Sequence, residues 1–385
     1  MNHPEHHIFA MTPRSLKAWC ARRGMAEYRA TQILEWVYAK GVVDPHAMTN
    51  LSGRDRETLA GEMTFLSGPT VAHQVATDRT QKLLIEWPDD PDRGVDAREA
   101  SVDRATRLPI LSDSGAPGAM PYSDAARQTE CVMIPEIDGP RRTACISSQV
   151  GCPVGCKFCA TGIGGLDGNL SSGRIVEQVW RLARLERVGR ISNVVFMGMG
   201  EPLANFRPVV DAVRTLAAPW GMGIGARKIT VSTVGMHKAI EKLAHELDLP
   251  VTLALSLHAP NDGLRRELIP WAEFTTIEQL VGACRAWFEK TGREITLEYI
   301  MLGGVNDRPE HAEELAGVCT RLRANVNLIR YNEVEGLGFE RPTGDGVHRF
   351  QSALRAHGIN THIRASRGRD IAAACGQLRH EHAGA

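Results

Sequence analysis

Three cysteines before the midpoint of the chain have the spacing of ligands for an inorganic cofactor. Cys152, Cys156 and Cys159 form a C-x-x-x-C-x-x-C pattern within "CISSQVGCPVGCKFCATGIGG", residues 145–165. A structural zinc site usually takes four ligands, often from two C-x-x-C pairs, and the chain has no second pair. Three thiolates on an iron–sulfur cluster instead leave one iron open to bind a substrate or cofactor. The spacing therefore favours an iron–sulfur cluster, with structural zinc as the open alternative.

Short β-branched segments alternate with amphipathic helical patterns from residue 143 onwards. Such alternation predicts parallel strands that are joined by right-handed helical crossovers. The strand candidates are residues 143–148, 193–198, 228–233, 251–258, 295–302 and 325–332, with a further edge strand in "GINTHIRAS". Six such units are too few to close an eight-stranded barrel. We therefore predict an α/β fold with a partial (β/α)6 barrel.

Polar or glycine-rich segments follow several of these strands. They are "GMGEP" after the second strand, "STVG" after the third and "SLHAPND" after the fourth, while the cysteine loop follows the first. In parallel barrels the chemistry gathers at the carboxyl ends of the strands. We therefore expect these four loops to meet at one mouth of the barrel.

The segments before and after the barrel predict accessory elements. Helix signals recur before residue 64, including Thr12-Pro13 at a helix start and Gly24 and Gly41 at helix ends. "QKLLIEW" and "ECVMIPE" read as two strands, and their connection exceeds the usual ~12–15 residue limit for a structureless loop. The predicted organisation is a helical accessory domain in residues 1–70, a strand pair in 71–142 with a disordered insertion at about 88–127, the barrel in 143–345, and a C-terminal helix, strand and tail in 346–385.

The composition is typical of a soluble cytoplasmic protein. The 385 residues are 43 % hydrophobic and 23 % charged, with 45 basic and 45 acidic side chains and a formal net charge of zero. No apolar run approaches the roughly 18 residues that span a bilayer, and "MNHPEHHIFAMTPRS" lacks the order of a signal peptide. Nine cysteines, an odd number and clustered, argue against a disulfide framework. Nucleic-acid binding would rest on local basic patches, such as the arginines of "IRASRGRD".

The motifs together resemble two nested groups of enzymes. The cysteine loop after the first strand of a partial barrel, with "GMGEP" one strand later, looks like the radical S-adenosylmethionine (SAM) superfamily. Within it, "CISSQVGC", "FMGMGEPLANF", "SLHAPND" and "RGRDIAAACGQL" resemble the RlmN/Cfr family of radical SAM RNA methyltransferases, over most of residues 12–380. The resemblance implies a 4Fe-4S cluster on the three cysteines, two SAM molecules per turnover, and methylation of C2 of an adenine in 23S rRNA and in tRNA. It also implies RNA binding by the N-terminal domain, an electron donor such as flavodoxin or ferredoxin, and a monomer without membrane attachment.

The resemblance also assigns roles to individual residues. Cys375 would accept a methyl group and carry it to the RNA through a covalent RNA–protein intermediate. Cys145 would release the product by forming a disulfide with Cys375, and Glu130 would accept the adenine proton. The positions that match SAM contacts are Gly200, Glu201, Ser232, Ser256, Leu257, His258 and Asn332. Without the resemblance, Glu130 reads as an exposed strand glutamate and His258 as a hydrogen-bonded core histidine.

Other functions stay open at the level of the sequence. A Cfr-type enzyme, associated with ribosomal antibiotic resistance, would methylate C8 of adenine with the same cluster and cysteine pair. A glycyl-radical activase would not need that pair, and a zinc-stabilised RNA-binding module would carry out no catalysis. The insertion at 88–127 departs from the family pattern, as does "NLIRYNEVEG", which lacks the usual proline near Asn332. No task is assigned to Cys20, Cys131, Cys284 or Cys319, and Cys284 is expected to be a small buried hydrophobe.

Overall fold

The computed structural model describes residues 1–89 and 127–378. The predicted insertion at 88–127 therefore lies almost wholly outside the described residues. No helix within the described ranges is both long and apolar enough to cross a membrane.

The first N-terminal helix begins and ends at the residues that the sequence signals predict. Thr12 caps the first helix by accepting a hydrogen bond from the Ser15 N–H at 3.1 Å, and Pro13 occupies the first helical position. Gly24 follows the end of that helix with a left-handed φ of 69°. The helices are α1 (Pro13–Arg22), α2 (Arg29–Leu34), which continues as a π-helical turn (Glu35–Ala39), and α3 (Gly53–Glu62).

A ten-stranded sheet forms the centre of the molecule, with a separate two-stranded ribbon beside the cysteine loop. The strands are β1 (Thr70–Val75), β2 (Gln81–Glu86), β3 (Gln128–Pro135), β4 (Arg142–Cys145), β5 (Gln149–Gly151), β6 (Leu166–Asn169), β7 (Asn193–Phe196), β8 (Ile229–Thr233), β9 (Thr252–Ser256), β10 (Ile295–Met301), β11 (Ala324–Arg330) and β12 (Thr361–Arg364). The order in the large sheet is β1-β2-β3-β4-β7-β8-β9-β10-β11-β12, and β5 pairs with β6.

The pairing within the sheet confirms the predicted α/β architecture. Strands β4, β7 and β8 to β12 pair in parallel, each with the next, whereas β1 to β4 form an antiparallel meander. Within the described residues no pairing joins β1 to β12, so hydrogen bonds do not close the sheet. The crossover and flanking helices are α4 (Ala160–Ile163), α5 (Ser172–Leu182), α6 (Phe206–Ala217), α7 (His237–Glu246), α8 (Asp262–Leu268), α9 (Ile277–Thr291), α10 (Pro309–Cys319) and α11 (Gly344–Ala356).

A buried charge cluster joins the N-terminal segment to α5. Glu177 on α5 has one carboxylate oxygen 2.6 Å from Nη2 of Arg181 and the other 3.1 Å from Nε2 of His7. The Ser67 hydroxyl donates to the same carboxylate at 2.7 Å. Burial opposes ionisation, but the hydrogen bond and charge of His7 and the charge of Arg181 leave the pKa of Glu177 below its ordinary value. This carboxylate therefore ties three separate segments together.

Replacing Glu177 with glutamine is expected to lower the free energy of unfolding by about 3 kcal/mol, because the buried charge of Arg181 would lose its partner carboxylate. The pKa of Glu177 is lower in the folded state than in the unfolded state. Its contribution to the free energy of unfolding is therefore present above the unfolded-state pKa and is lost as the pH falls through the folded-state pKa. Urea unfolding of both proteins across a pH series measures this difference.

Glu186→Gln is the matched control, because Glu186 pairs with Arg187 at the surface and its side chain is 84 % exposed. Exposed pairs contribute about 0–1 kcal/mol. Equal unfolding midpoints for Glu177→Gln and Glu186→Gln would contradict a stabilising role of the buried charge cluster at Glu177.

Candidate active site

The carboxyl ends of the parallel strands surround a cavity of about 830 Å³, here named the cofactor cavity. All four loops that the sequence singled out contribute to its lining. Cys156 comes from the cysteine loop, Glu201 from "GMGEP", Thr233 from the end of β8, and His258 from "SLHAPND". The prediction that these loops meet at one mouth is confirmed.

The three loop cysteines line this cavity together. Burial raises the pKa of each thiol, and mutual repulsion adds to the increase for Cys152 and Cys156. Arg265, fully buried on α8, acts in the opposite direction on Cys156. The Nε of Arg265 is buried without a hydrogen-bond partner among the described residues. Thiolates here need positive charge nearby, and Arg265 supplies part of it.

This donor set fits a 4Fe-4S cluster. In such a cluster each cysteine binds a different iron, so the three thiols need not converge on one ion. Within the described ranges, no group of three or more His, Cys, Asp or Glu side chains is arranged to hold a metal ion.

Most of the residues matched to SAM contacts lie at the cofactor cavity. Gly200, Glu201, Ser232, Ser256 and His258 line it. The side chain of Leu257 is buried in the core, and its N–H donates to the Glu298 carbonyl at 3.1 Å. Asn332 lines the adjoining cavity instead and donates from Nδ2 to the Cys375 carbonyl at 3.2 Å.

Glu201 and His258 have environments unlike those of surface residues. Burial raises the pKa of Glu201 to about 7, although its carboxylate accepts the N–H groups of Val234 at 2.7 Å and Leu203 at 3.0 Å. Burial, with the charge of Arg265, lowers the pKa of His258 to about 3, so its imidazole is neutral. Because Nδ1 of His258 accepts the Ile300 N–H at 3.1 Å, its proton is on Nε2. His258 is therefore hydrogen-bonded through Nδ1, as the core-histidine interpretation expects, and it also lines the cofactor cavity.

Cys145 and Cys375 line a second cavity, here named the thiol cavity. Cys375 also lines the cofactor cavity, so the two cavities meet at this residue. Burial, with the neighbouring Cys375 thiol, raises the pKa of Cys145 to about 12. All nine cysteines are free thiols, so the disulfide expected during product release is not formed in this structure.

Glu130 lies on β3 in a buried ion pair. Its Oε1 is 2.6 Å from Nζ of Lys82, and the residue is only 3 % exposed. The interpretation of Glu130 as an exposed strand glutamate is therefore wrong. Glu130 lines neither cavity, but Lys82 also donates to the carbonyl of Ala372, which links the pair to the segment that carries Cys375.

Three residues that the sequence analysis did not assign to the site line both cavities: Met197, Ile329 and Arg364. The sequence analysis places Arg364 only in the basic patch "IRASRGRD". Glu298 on β10 lines the cofactor cavity and was also missed. Glu298 is the only charged residue of the strand "ITLEYIML", and this was the signal that could have identified it.

The open parallel sheet, the three-cysteine loop and the glycine-rich strand end define a radical SAM enzyme, and residues 146–316 match the model of the radical SAM superfamily. Residues 7–64 match the ribosomal RNA large subunit methyltransferase N-terminal domain. The chain belongs to the RlmN family of radical SAM RNA methyltransferases. Membership implies a 4Fe-4S cluster and SAM.

Two relatives and one solved structure support this membership. A probable dual-specificity RNA methyltransferase RlmN from Thermosynechococcus vestitus is 42 % identical, covering 97 % of this chain and 98 % of the relative. The protein of the same name from Rhodopirellula baltica is 38 % identical over 97 % of this chain and 91 % of the relative. The crystal structure of a radical SAM methyltransferase from Sphaerobacter thermophilus superimposes with a TM-score of 0.84 at 39 % identity, covering 98 % of this chain and 100 % of that one.

Replacing Gly200 with alanine is expected to weaken SAM binding about tenfold. Gly200 has a φ of 102°, which costs an L-residue about 1–3 kcal/mol, and a Cβ there would lie 2.7 Å from Cβ of Gln149. The loop must shift to relieve the backbone strain and the clash. We expect this shift to weaken the free energy of SAM binding by about 1.4 kcal/mol, which corresponds to a tenfold change in Kd. Anaerobic calorimetric titration of the reconstituted protein with SAM measures the change.

Gly225→Ala provides the matched control, since a Cβ at Gly225 meets no atom within 4 Å and its φ is −54°. SAM affinity should be unchanged in that variant. An unaltered affinity in Gly200→Ala as well would contradict a role of this glycine in shaping the SAM site.

Proposed function

We propose that this protein methylates C2 of an adenine in 23S rRNA, and in tRNA, using Cys375 as a methyl carrier. The observation that carries the proposal is the joining of two cavities at Cys375. One cavity holds the three candidate cluster cysteines and the other holds Cys145. A glycyl-radical activase needs no such pair of free thiols. The chain's similarity to proteins named dual-specificity RNA methyltransferases supports the two RNA substrates.

The target carbon explains why a radical is needed. C2 of adenine lies between two ring nitrogens and is too electron-poor to attack the methyl group of a sulfonium. Cys152, Cys156 and Cys159 would hold the cluster, and the chemistry that it would supply when bound is reductive cleavage of SAM to a 5′-deoxyadenosyl radical. Cys375 takes its methyl group from another SAM by simple displacement, so each turnover uses two SAM molecules. Hydrogen abstraction from that methyl group lets its carbon add to the adenine.

Product release would use Cys145 and Glu130. The adduct joins the Cys375 sulfur to the adenine through a methylene group. Glu130, held by Lys82, is proposed to accept the ring proton, which requires the adenine or a bridging group to approach it. Radical addition leaves one unpaired electron on the ring, so one electron must also leave the adduct, and the redox centre held by the three loop cysteines would be its acceptor. The Cys145 thiolate then attacks the Cys375 sulfur, and the adduct's carbon–sulfur bond breaks.

The SAM contacts are proposed from the cavity lining. Glu201 and Ser232 stand at neighbouring strand ends, with the Ser232 hydroxyl donating to the Phe196 carbonyl. Ser256 and His258 lie on the next strand end, where Nε2–H of His258 can donate to a ligand. We propose that these four residues and Gly200 bind SAM, with Leu257 and Asn332 supporting the shape of the site.

The RNA would be bound partly by the N-terminal domain, residues 1–70, and partly by the arginines of "IRASRGRD". Phosphate contacts of this kind make affinity fall as salt concentration rises. The adenine must also leave its stack to reach the thiol cavity. We further propose a cytoplasmic monomer that receives electrons from a flavodoxin or ferredoxin.

The test is mass spectrometry of nucleosides from unmodified 23S rRNA and tRNA. Each RNA is incubated anaerobically with reconstituted protein, reductant and methyl-labelled SAM. Labelled 2-methyladenosine would support the proposal, and labelled 8-methyladenosine would replace it with the Cfr-type activity. No labelled adenosine from protein that carries its cluster and cleaves SAM would overturn both. A colourless protein that contains zinc and no iron would favour the non-catalytic alternative.

A further inference from the structure

Arg364 is a cation at the junction of the two cavities. It is the last residue of β12, it lines both cavities, and its side chain is 26 % exposed. Its Nη1 lies 3.4 Å from Sδ of Met197 and 3.9 Å from Oε2 of Glu298. No other acceptor among the described residues bonds its guanidinium. The remaining N–H groups are therefore available to a group within the cavities.

Glu298 is the buried carboxylate that faces the Arg364 guanidinium. The residue is 3 % exposed, and its Oε1 accepts a hydrogen bond from Nδ2 of Asn327 at 3.0 Å. Its Oε2 is buried without a hydrogen bond among the described residues, and Arg364 is the cation that faces it. Because an unpaired buried carboxylate is costly, Glu298 favours the position of the Arg364 guanidinium at the junction.

Cys145 has few charged neighbours. The titratable groups around it are Cys375, Arg364 and Arg367 in the thiol cavity, and Cys131 on the neighbouring strand β3. Arg367 lies 3.9 Å from Oδ2 of Asp78, which balances its charge. Burial and the Cys375 thiol raise the pKa of Cys145, whereas Arg364 and the Met197 N–H act in the opposite direction. The pKa of Arg364 is itself raised, first by Cys375 and then, against burial, by Glu298 and Cys145.

We propose that Arg364 is a positioning residue for thiol exchange, with its guanidinium stabilising the thiolate of Cys145 beside the sulfur of Cys375. This inference rests on the proposed function, in which Cys375 first carries the RNA adduct. Cys145 loses its proton to solvent and its sulfur bonds to that of Cys375. The sulfur–methylene bond breaks, and its electron pair goes to the methylene carbon, which takes up a proton to become the methyl group. A dithiol reductant then returns both cysteines to thiols.

The test measures the reactivity of Cys145 directly. Full-length protein with its cluster reconstituted is alkylated anaerobically with iodoacetamide, without SAM or RNA, across a pH series. Peptide mass spectrometry gives the rate at Cys145. Arg364→Gln is expected to slow alkylation about tenfold at neutral pH and to move the profile about one unit upwards, whereas Arg364→Lys should restore most of the rate. Arg364→Met serves as a second uncharged variant, should the glutamine variant not hold its cluster.

Arg367→Gln is the matched control, because Arg367 lines the thiol cavity but not the junction with the cofactor cavity, and Arg364, not Arg367, is the arginine that lowers the pKa of Cys145. Its alkylation profile should follow that of the unsubstituted protein. If the uncharged Arg364 variants also follow it, the inference is wrong, while methyladenosine formation would still uphold the proposed function. If the profile shifts but the unsubstituted protein forms no methyladenosine, the charge effect stands and the proposed function falls.

Discussion

Replacing Cys375 with alanine is expected to abolish RNA methylation. In the proposed mechanism the Cys375 sulfur carries the methyl group from SAM to the adenine, so the variant has no atom to accept that group. Activity should fall to background, a loss of more than about a thousandfold, as when a covalent nucleophile is removed. Cluster content should be retained, because the cluster ligands are on a separate loop. Transfer of label from methyl-labelled SAM to RNA and to protein measures both effects.

Cys319→Ala tests whether the loss of any thiol has the same consequence. Cys319 is the last residue of α10, is buried in the core and lines neither cavity. We expect it to retain methylation and labelled protein intermediate. Methylated RNA formed by Cys375→Ala at the rate of the unsubstituted protein would exclude Cys375 as the carrier.

Replacing Cys145 with alanine is expected to trap RNA on the protein. In the proposed mechanism, methyl transfer to Cys375 and addition to the adenine do not use Cys145, so we expect the adduct to form and then persist. Release in that mechanism requires a second thiol, and the only other cysteine that lines the thiol cavity among the described residues is Cys375 itself. A covalent RNA–protein complex should therefore accumulate to near-stoichiometric yield. Denaturing electrophoresis and mass spectrometry of the cross-linked peptide would identify Cys375 as the attachment site.

Cys131→Ala is the control for this experiment. Cys131 is a buried thiol on β3, next to Val132, which pairs with Cys145. It lines neither cavity and should release product normally. If Cys145→Ala also turned over without a trapped complex, release would not depend on Cys145.

Much of the barrel could be predicted because each element carries its own signals. Apolar β-branched runs predicted β7 to β11 to within a few residues, and capping residues predicted α1. Thr12 caps α1, and Gly24 follows its end in a left-handed conformation. β1 was missed because all six of its residues are exposed, so it lacks the apolar alternation that marks a half-buried strand.

The sequence predicted those site residues that belong to short local motifs. Cys152, Cys156, Glu201 and His258 belong to short motifs at strand ends, and all four line the cofactor cavity. Glu298 carried a signal as the charged residue of its strand, but its place at the cofactor cavity could not be predicted, because whether a strand residue faces a cavity depends on how the whole sheet curves. The environment of Glu130 was likewise unpredictable, since its partner Lys82 is distant in sequence and approaches only through β2–β3 pairing.

The sequence by itself determined the parallel architecture, the three-cysteine loop and the motif that contains Cys375, since each depends on residue types at short, fixed spacings. Only the tertiary structure decided that Cys145 and Cys375 share a cavity, that this cavity meets the cofactor cavity, and that Arg364 stands between them. These residues come from β4, β12 and the C-terminal segment. Their proximity is a consequence of strand order and sheet curvature, which arise from the packing of the whole chain and are not encoded in any short segment of it.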